Sequence, residues 1–308
     1  MKKTVIADLS LLVVAFVWGA TFVIVQNAIS FLEPMTFNAI RFFIACLFLL
    51  SWICLFYRTQ LKHLDKKLIF AGVVMGVWLF GGYALQTIGL LYTTSSKAGF
   101  ITGLSVVLVP LFTFLILKQK PGLNAIIGVS VATVGLYLLT MGDAFRINKG
   151  DLYVFFCAIS FALHIIFTGK FTSFYPTLLL TVIQIGTVSL LSAISAVLFE
   201  SWHSAFSPQI LLKSEVLLAL CVTSLFATAL AFLLQTKYQK YTTTTRVALI
   251  FAMEPVFAAI TAVLFAEETL PVVALLGCTF IFVGMILSEL PQKNLLKING
   301  AATKKAAG

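Results

Sequence analysis

The sequence predicts an all-α integral membrane protein with ten transmembrane helices, arranged as two inverted five-helix repeats. The 308-residue chain is 60% hydrophobic and only 10% charged, which leaves too little polar surface to coat a soluble domain. Apolar runs of about twenty residues, the length that crosses the hydrocarbon of a bilayer, recur along the chain. The stretch 85–97 returns 149 positions later as 234–246, and the same offset carries Gly128 onto Gly277. The chain is therefore a duplication of a membrane-spanning unit.

The individual spans are apolar runs separated by polar residues and turn-forming prolines. Each run is predicted to be a helix, because backbone groups in lipid must be hydrogen-bonded within their own segment. Hydroxyl residues at 93–96 and 242–245 can cap the fourth and ninth helices. The first run is long enough to span and is interpreted as a retained helix rather than a signal peptide. The predicted spans are 7–27, 35–57, 68–91, 95–117, 122–141, 151–170, 176–199, 215–237, 242–265 and 270–290.

Lysine and arginine predict the orientation of these spans. Of the 21 basic residues, sixteen fall on the side of the N terminus, four fall on the opposite side, and Arg41 lies within the second span. By the positive-inside rule both termini are cytoplasmic, in a multi-pass protein of the inner or plasma membrane. Five spans in each repeat then place the second repeat upside down relative to the first. The predicted repeats are 1–143 and 144–290, followed by a basic tail at 291–308 that is predicted to be disordered.

Glu254 is the most informative single residue, because it lies near the middle of the ninth span. A carboxyl group there costs about 3 kcal/mol to place in lipid, so it must face a cavity or a partner. One hypothesis makes Glu254 a contact for a substrate ammonium group or a proton carrier. The structural alternative is a hydrogen bond to backbone groups that Pro255 leaves without partners.

Two further ionisable side chains lie within the spans. His164 shares one helix face with Ser160 and Thr168, which is a candidate cavity wall and a second candidate for proton coupling. The alternative for His164 is a neutral hydrogen bond between helices. Arg41 lies near the outer end of the second span, where we expect it to reach the headgroups or pair with Glu33. Recruitment of an anion is the other interpretation.

Aromatic and amide side chains complete the candidate site. Tryptophan and tyrosine prefer the membrane interfaces, so Trp18 near the centre of the first span is a candidate to stack on a substrate, with core filling as the alternative. The eighth span has one polar face, whose equivalent in the third span is mostly apolar; an asymmetric cavity or close helix packing would each explain this. Gln86 and Gln235 lie near helix ends, where capping or gating is expected. The predicted substrate-binding residues are Trp18, Asn38, Trp78, Tyr83, His164, Gln184, Thr228 and Glu254.

The predicted spans and their flanks carry four short motifs: Trp18-Gly-Ala-Thr-Phe22, Arg41-Phe-Phe, Glu254-Pro-Val256 and Glu267-Glu-Thr-Leu270. Together they resemble the motifs of EamA-type transporters of the drug/metabolite transporter superfamily. The similarity covers about residues 7 to 290 and implies an inner-membrane exporter of amino acids, metabolites or drugs with a central cavity. The glutamate that the family has before the last helix of each half matches Glu268, whereas the first half has Gln119.

The leading hypothesis is a secondary transporter that exports small metabolites, such as amino acids or related amines, by alternating access. The alternatives are a passive facilitator or channel, which needs a continuous polar lining, and a membrane-embedded enzyme or scaffold using Glu254 and His164. No catalytic motif or nucleotide-binding loop is present, so no catalytic residue is predicted. The five cysteines lie in apolar segments without a metal-ligand pattern, and neither a metal nor a cofactor is expected. The expected partners are a small-molecule substrate, membrane lipid and, in a homodimer, a second copy of the chain, but not nucleic acid.

Overall fold

The computed structural model describes residues 2–93, 95–140, 148–205, 207–265 and 271–289. Within these ranges the regular structure is helical and contains no strand. A π-helix, Thr223–Leu230, joins α11 to α12, and two short 3₁₀ helices cover Arg58–His63 and Gln239–Tyr241. The α-helices are α1 (Lys2–Ala28), α2 (Pro34–Phe56), α3 (Lys66–Gly89), α4 (Ser95–Gly103), α5 (Ser105–Leu117), α6 (Leu123–Thr140), α7 (Lys149–Phe171), α8 (Thr177–Phe199), α9 (Trp202–Ala205), α10 (Pro208–Leu211), α11 (Ser214–Val222), α12 (Ala231–Tyr238), α13 (Thr244–Phe251), α14 (Glu254–Phe265) and α15 (Val272–Glu289).

The helices have the length and surface of a multi-pass membrane protein. Among the described residues, eight helical segments are long and apolar enough to cross a bilayer, and two shorter apolar stretches lie at Leu123–Leu138 and Val272–Ser288. Large hydrophobic side chains point outwards, with Leu55 75% and Phe199 82% exposed. Such a surface would associate in water and is favourable in lipid. The predicted tail at 291–308 and most of the loop 142–150 lie outside the described residues.

The fourth and ninth predicted spans are interrupted, which the hydropathy pattern does not show. α4 ends at Gly103 and α5 begins at Ser105, with a tight turn in which the amide of Leu104 donates to Ile101 at 3.1 Å. α13 and α14 are separated by Ala252 and Met253, and Met253 makes the equivalent short-range bond to Ile250, also at 3.1 Å. Proline has no amide hydrogen, so Pro255 cannot continue the α-helical bonding here. Both interruptions lie in the interior of the protein, at positions related by the repeat offset.

Helix ends recur at two constant offsets along the chain. α2 and α8 have equivalent ends 143 residues apart, and α6 and α15 have equivalent ends 149 residues apart. α2 packs against α8, and α6 packs against α15. α1 contacts α13 and α14, and its equivalent α7 contacts the equivalent pair α4 and α5. The long helices therefore pack mainly against helices of the other half of the chain.

Glycines allow close packing at the contact between α6 and α15. A Cβ atom added to Gly128 would lie 2.5 Å from the carbonyl oxygen of Gly284, and one added to Gly135 would lie 2.6 Å from that of Gly277. Real Cβ atoms do not approach carbonyl oxygens so closely, so these backbones need glycine. The predicted cap of the ninth span is also present, since Thr243 accepts a hydrogen bond from the amide of Arg246 at 3.3 Å.

Candidate functional site

The helices enclose an interior cavity between α1, α2, α3, α4, α7 and the segments that contain the two interruptions. Including its open mouth, the cavity has about 830 Å³ that no protein atom fills. Its aromatic lining consists of Trp18, Phe22, Tyr83, Phe161, Phe232 and Phe251. Its polar lining consists of Thr21, Arg41, Gln86, Thr87, Thr102, Ser105, His164, Gln235 and Glu254. The mixture of aromatic walls with a few polar groups is typical of a small-molecule site.

Most of the lining comes from equivalent positions of the two halves, at the same offsets that relate the helix ends. The matching pairs are Trp18 with Phe161, Thr21 with His164, Tyr83 with Phe232, Gln86 with Gln235, and Ser105 with Glu254. The two halves therefore contribute equivalent positions to the lining, but the side chains at these positions differ. Where the first half has the hydroxyl groups of Thr21 and Ser105, the second half has the imidazole group of His164 and the carboxyl group of Glu254.

Glu254 is the first residue of α14, directly after the interruption of the ninth span. Its side chain lines the cavity and makes no hydrogen bond or ion pair to another residue that the structure describes. The alternative suggested by the sequence, a structural bond to backbone freed by Pro255, is thus not made within the described part of the chain. A helix start favours negative charge, because its first amide groups point along the axis without intrahelical partners. The carboxyl group of Glu254 faces the cavity at this helix start and remains available to a ligand.

Arg41 corrects one expectation drawn from the sequence. It is 3% exposed and lines the cavity, where its Nε donates to Thr228 Oγ1 at 2.9 Å. Its guanidinium group lies 4.7 Å from the centre of the Tyr83 ring, close enough for a cation–π contact. The prediction that Arg41 reaches the headgroups or pairs with Glu33 was wrong, because the side chain contacts Thr228 and Tyr83 in the interior instead. Glu33 accepts a hydrogen bond from the amide of Ser201 instead, at 3.0 Å.

His164 is held by a chain of side-chain hydrogen bonds. Its Nε2 lies 2.9 Å from Gln184 Oε1 and 3.3 Å from the hydroxyl of Thr168. The amide nitrogen of Gln184 donates to Thr236 Oγ1 at 2.9 Å, so the Gln184 oxygen is left to accept from the ring. This arrangement places the proton of a neutral His164 on Nε2 and leaves Nδ1 as an acceptor. Of the stripe predicted as a cavity wall, only His164 lines the cavity. Thr168 contacts the His164 ring, and the hydroxyl of Ser160 donates to the carbonyl of Phe156.

The remaining predicted residues lie in the cavity lining, one layer behind it, or away from the cavity. Trp18 and Tyr83 line the cavity, and the indole nitrogen of Trp18 donates to the carbonyl of Ala227 at 2.8 Å. Asn38, Gln184 and Thr228 lie one layer behind, where each bonds to a side chain that does line it. Trp78 lies away from the cavity and stacks on Phe167, with ring centres 6.4 Å apart. The structure thus brings Trp18, Tyr83, His164 and Glu254 around one space.

Gln235 is a cavity residue that the sequence did not assign to the site. It is 1% exposed, and its Oε1 is buried without a hydrogen-bond partner in the described structure. Its equivalent, Gln86, donates to Thr102 Oγ1 at 3.3 Å. A buried acceptor without a partner is costly, so a ligand donor there would remove a penalty. The repeat offset already linked the two glutamines, but their positions near helix ends pointed to the membrane interface.

Comparison with known proteins places this geometry in a family. The model of the EamA-like transporter family matches residues 5–141 and, a second time, residues 148–290. An uncharacterized transporter of Archaeoglobus fulgidus is 35% identical over 288 residues, which cover 94% of this chain and 87% of that protein. The uncharacterized transporter YyaM of Bacillus subtilis is 26% identical over 281 residues, covering 88% of this chain and 89% of that protein.

A solved crystal structure has the same fold. It superposes with a TM-score of 0.76 at 19% identity and covers 92% of this chain and 96% of that one. Identity at this level supports the fold alone. The two successive matches of the family model start at residues 5 and 148, which is the 143-residue offset seen in the ends of α2 and α8.

Proposed function

Because the chain belongs to the EamA-like transporter family, we propose that it is a secondary transporter exporting a small amphipathic metabolite, such as an amino acid or a related amine. Transport proceeds by alternating access through the cavity, and the inner or plasma membrane is its location, with both termini cytoplasmic. The observation that carries the substrate class is the presence of Arg41 and Glu254 in the lining of one aromatic-walled cavity. A ligand with a carboxylate, an ammonium group and an apolar body matches Arg41, Glu254 and the aromatic wall respectively.

Each part of such a ligand has a counterpart in the lining. Glu254 makes no hydrogen bond or ion pair with another described residue, and it can accept an ammonium group. Gln235 Oε1 and His164 Nδ1 are further acceptors for a donor-rich ligand. Arg41 is oriented by Thr228 and Tyr83, and its planar donors suit a carboxylate. The aromatic side chains then cover the apolar body.

The proposed architecture is ten transmembrane helices in two inverted repeats, 1–143 and 144–290. The repeated helix ends, the paired cavity residues and the two matches of the family model support it. Transporters of this kind bind their substrates at the interface of the repeats, where spanning helices are discontinuous. The turns at Leu104 and at 252–253 lie at this interface, directly before Ser105 and Glu254. If each half took up the conformation of the other, the cavity would open first to one side of the membrane and then to the opposite side.

We also propose that the same residues couple transport to protons. Glu254 can hold a proton in one facing state and release it in the other, and His164 offers a second titratable group in the cavity wall. In the exporter that we propose, substrate and proton compete for Glu254, so an inward proton gradient drives efflux. No nucleotide hydrolysis is required for this exchange.

The experiment that tests this function measures efflux without assuming a substrate. Extracellular and intracellular metabolites are compared between cells that lack and cells that overproduce the protein, and each enriched compound is then tested in reconstituted vesicles. We expect compounds with an amine and an apolar part to accumulate outside the overproducing cells. Vesicle transport of these compounds must exceed that of empty vesicles. Exclusive movement of inorganic ions or of compounds without a basic group would contradict the proposal.

A further inference from the structure

Two ion pairs occupy equivalent positions in the two halves of the chain. Lys97 Nζ lies 2.6 Å from Asp151 Oδ2, and Arg246 Nη2 lies 2.7 Å from Asp8 Oδ2. Arg246 follows Lys97 by 149 residues, and Asp151 follows Asp8 by 143 residues. These are the two offsets that relate the helix ends of the halves. The pairs are therefore copies of one another, and each joins a residue of the first half to a residue of the second.

The two pairs lie at opposite ends of the protein. A Cβ atom added to Gly150, next to Asp151, would meet the backbone of Gly89 at 2.7 Å, so the start of α7 lies beside the end of α3. A Cβ atom added to Gly169, near the other end of α7, would lie 2.9 Å from the side chain of Thr244, two residues before Arg246. The 23 residues of α7 extend about 35 Å, and the cavity residue His164 lies between these ends. One ion pair is thus on each side of the cavity.

Each pair is connected to the cavity through an interrupted span. Lys97 lies in α4, whose end leads through the turn at Leu104 to Ser105, and Arg246 lies in α13, whose end leads to Glu254. The acids lie near the starts of α7 and α1, which carry the cavity residues His164 and Trp18 further along. The pairs are also shielded from solvent, with side-chain exposures of 19% and 7% for the first and 24% and 12% for the second. Such pairs are screened less than exposed ones.

From this placement we propose that the two ion pairs are matched latches of the two faces of the transporter. Asp8–Arg246 holds the cytoplasmic side together and Lys97–Asp151 holds the outer side together, and opening either side widely enough for a ligand to pass requires the pair on that side to separate. The proposal rests on the proposed alternating access of two inverted halves. In that mechanism the halves exchange conformations, so equivalent contacts exchange their closed and open states. Both latches are formed in the structure.

The test uses two matched variants, Lys97→Met and Arg246→Met. Each removes one cation and keeps an alkyl side chain of similar length, while the acid at Asp151 keeps its second role in the cap of α7. The variants are made in a chain without its five native cysteines that carries Ser105→Cys in the cavity lining. A membrane-impermeant thiol reagent is applied to right-side-out and to inside-out vesicles, and the ratio of the two labelling rates is measured. The double variant is the control for general loosening.

We expect Arg246→Met to raise labelling from the cytoplasmic side relative to the outer side, and Lys97→Met to do the reverse. A shift of about fivefold or more in each ratio is expected, because both states are populated in a working transporter and a small free-energy change moves such an equilibrium. The double variant should return the ratio towards that of the parent. Shifts in the same direction, or none, in a parent that labels from both sides would overturn the latches alone. A parent labelled from one side only, with no change in any variant, would overturn alternating access itself.

Discussion

Gly19 of α1 lies directly against the backbone of Glu254 at the start of α14. A Cβ atom added to Gly19 would collide with the Glu254 carbonyl oxygen and would lie 2.9 Å from the amide nitrogen of Ala258. Only a residue without a side chain allows this approach. The glycine beside Trp18 thus brings the first helix against the interrupted ninth span, and it sets the position of the acid in the cavity. The glycine is structural, but the site depends on it.

Replacement of Gly19 by alanine should destabilise the protein. The added methyl group has backbone atoms as neighbours, so α1 must move, at a cost of about 1–3 kcal/mol. Thermal unfolding in detergent measures the effect. Gly99→Ala is the matched control, because its Cβ atom would meet only Pro255 Cβ at an ordinary 3.7 Å, and alanine favours the helix. Equal loss of stability in the two variants would contradict the tight contact.

Glu254→Gln should preserve folding and abolish or strongly reduce transport, or change its pH dependence. Glutamine keeps the volume and most of the hydrogen-bonding capacity of the side chain but cannot carry the titratable proton. Transport is measured in reconstituted vesicles with and without an imposed pH gradient, for the parent and the variant. Glu215→Gln, at an exposed position in the first turn of α11, is the control carboxyl group. Equal rates in all four conditions would reject Glu254 as coupling residue and as substrate anchor.

Arg41→Gln should remove the preference for ligands that carry a carboxylate. A hydrogen bond to a charged group contributes about 1.5–3 kcal/mol, so affinity for an amino acid should fall about tenfold or more. Affinity for the corresponding decarboxylated amine should change much less. Competition assays with both ligands measure this difference. Arg58→Gln, at an exposed arginine that donates to the carbonyl of Cys54, is the control. An equal loss for both ligands would instead indicate that Arg41 only maintains the cavity wall.

Gln235→Met should weaken ligand binding more than Gln86→Met. The first change removes a buried acceptor that has no partner in the described structure, and a ligand donor would occupy it. The second removes an amide that already donates to Thr102. We expect about a fivefold to tenfold rise in KM for an amine ligand in Gln235→Met, with kcat less affected. If Gln86→Met has the larger effect on KM, the ligand contacts the first half instead.

The topology can be checked with single cysteines in a cysteine-free chain. His63→Cys and His203→Cys, both at exposed positions outside the long helices, should be labelled from the cytoplasmic and the outer side respectively. More generally, the loop 58–67 should label from inside and the loop 142–150 from outside. The reason is the excess of lysine and arginine on the predicted cytoplasmic side. Labelling of both loops from the same side would contradict the inverted arrangement.

Much of the fold is visible in the sequence because it depends on local composition. Outside the interrupted fourth and ninth spans, the bounds of the long helices follow closely from apolar runs and turn residues, and α2, predicted at 35–57, spans Pro34–Phe56. The duplication is visible because the stretch 85–97 is repeated 149 positions later, at 234–246. Glu254 stood out for the same reason, since a carboxyl group within an apolar run costs free energy wherever the helix packs. None of these inferences required knowledge of which helices are neighbours.

The tertiary structure decided which side chains meet. Arg41 finds Thr228 187 residues away, and His164 is oriented by Gln184 and Thr236, which lie on other helices. Trp78, an equally plausible aromatic candidate, faces away from the cavity and stacks on Phe167. Hydropathy along one span cannot distinguish these cases, because every side chain in a buried helix has the same apolar neighbours in sequence. Only the rotation and contact of each helix in the packed bundle determine whether a residue faces the cavity, another helix or lipid.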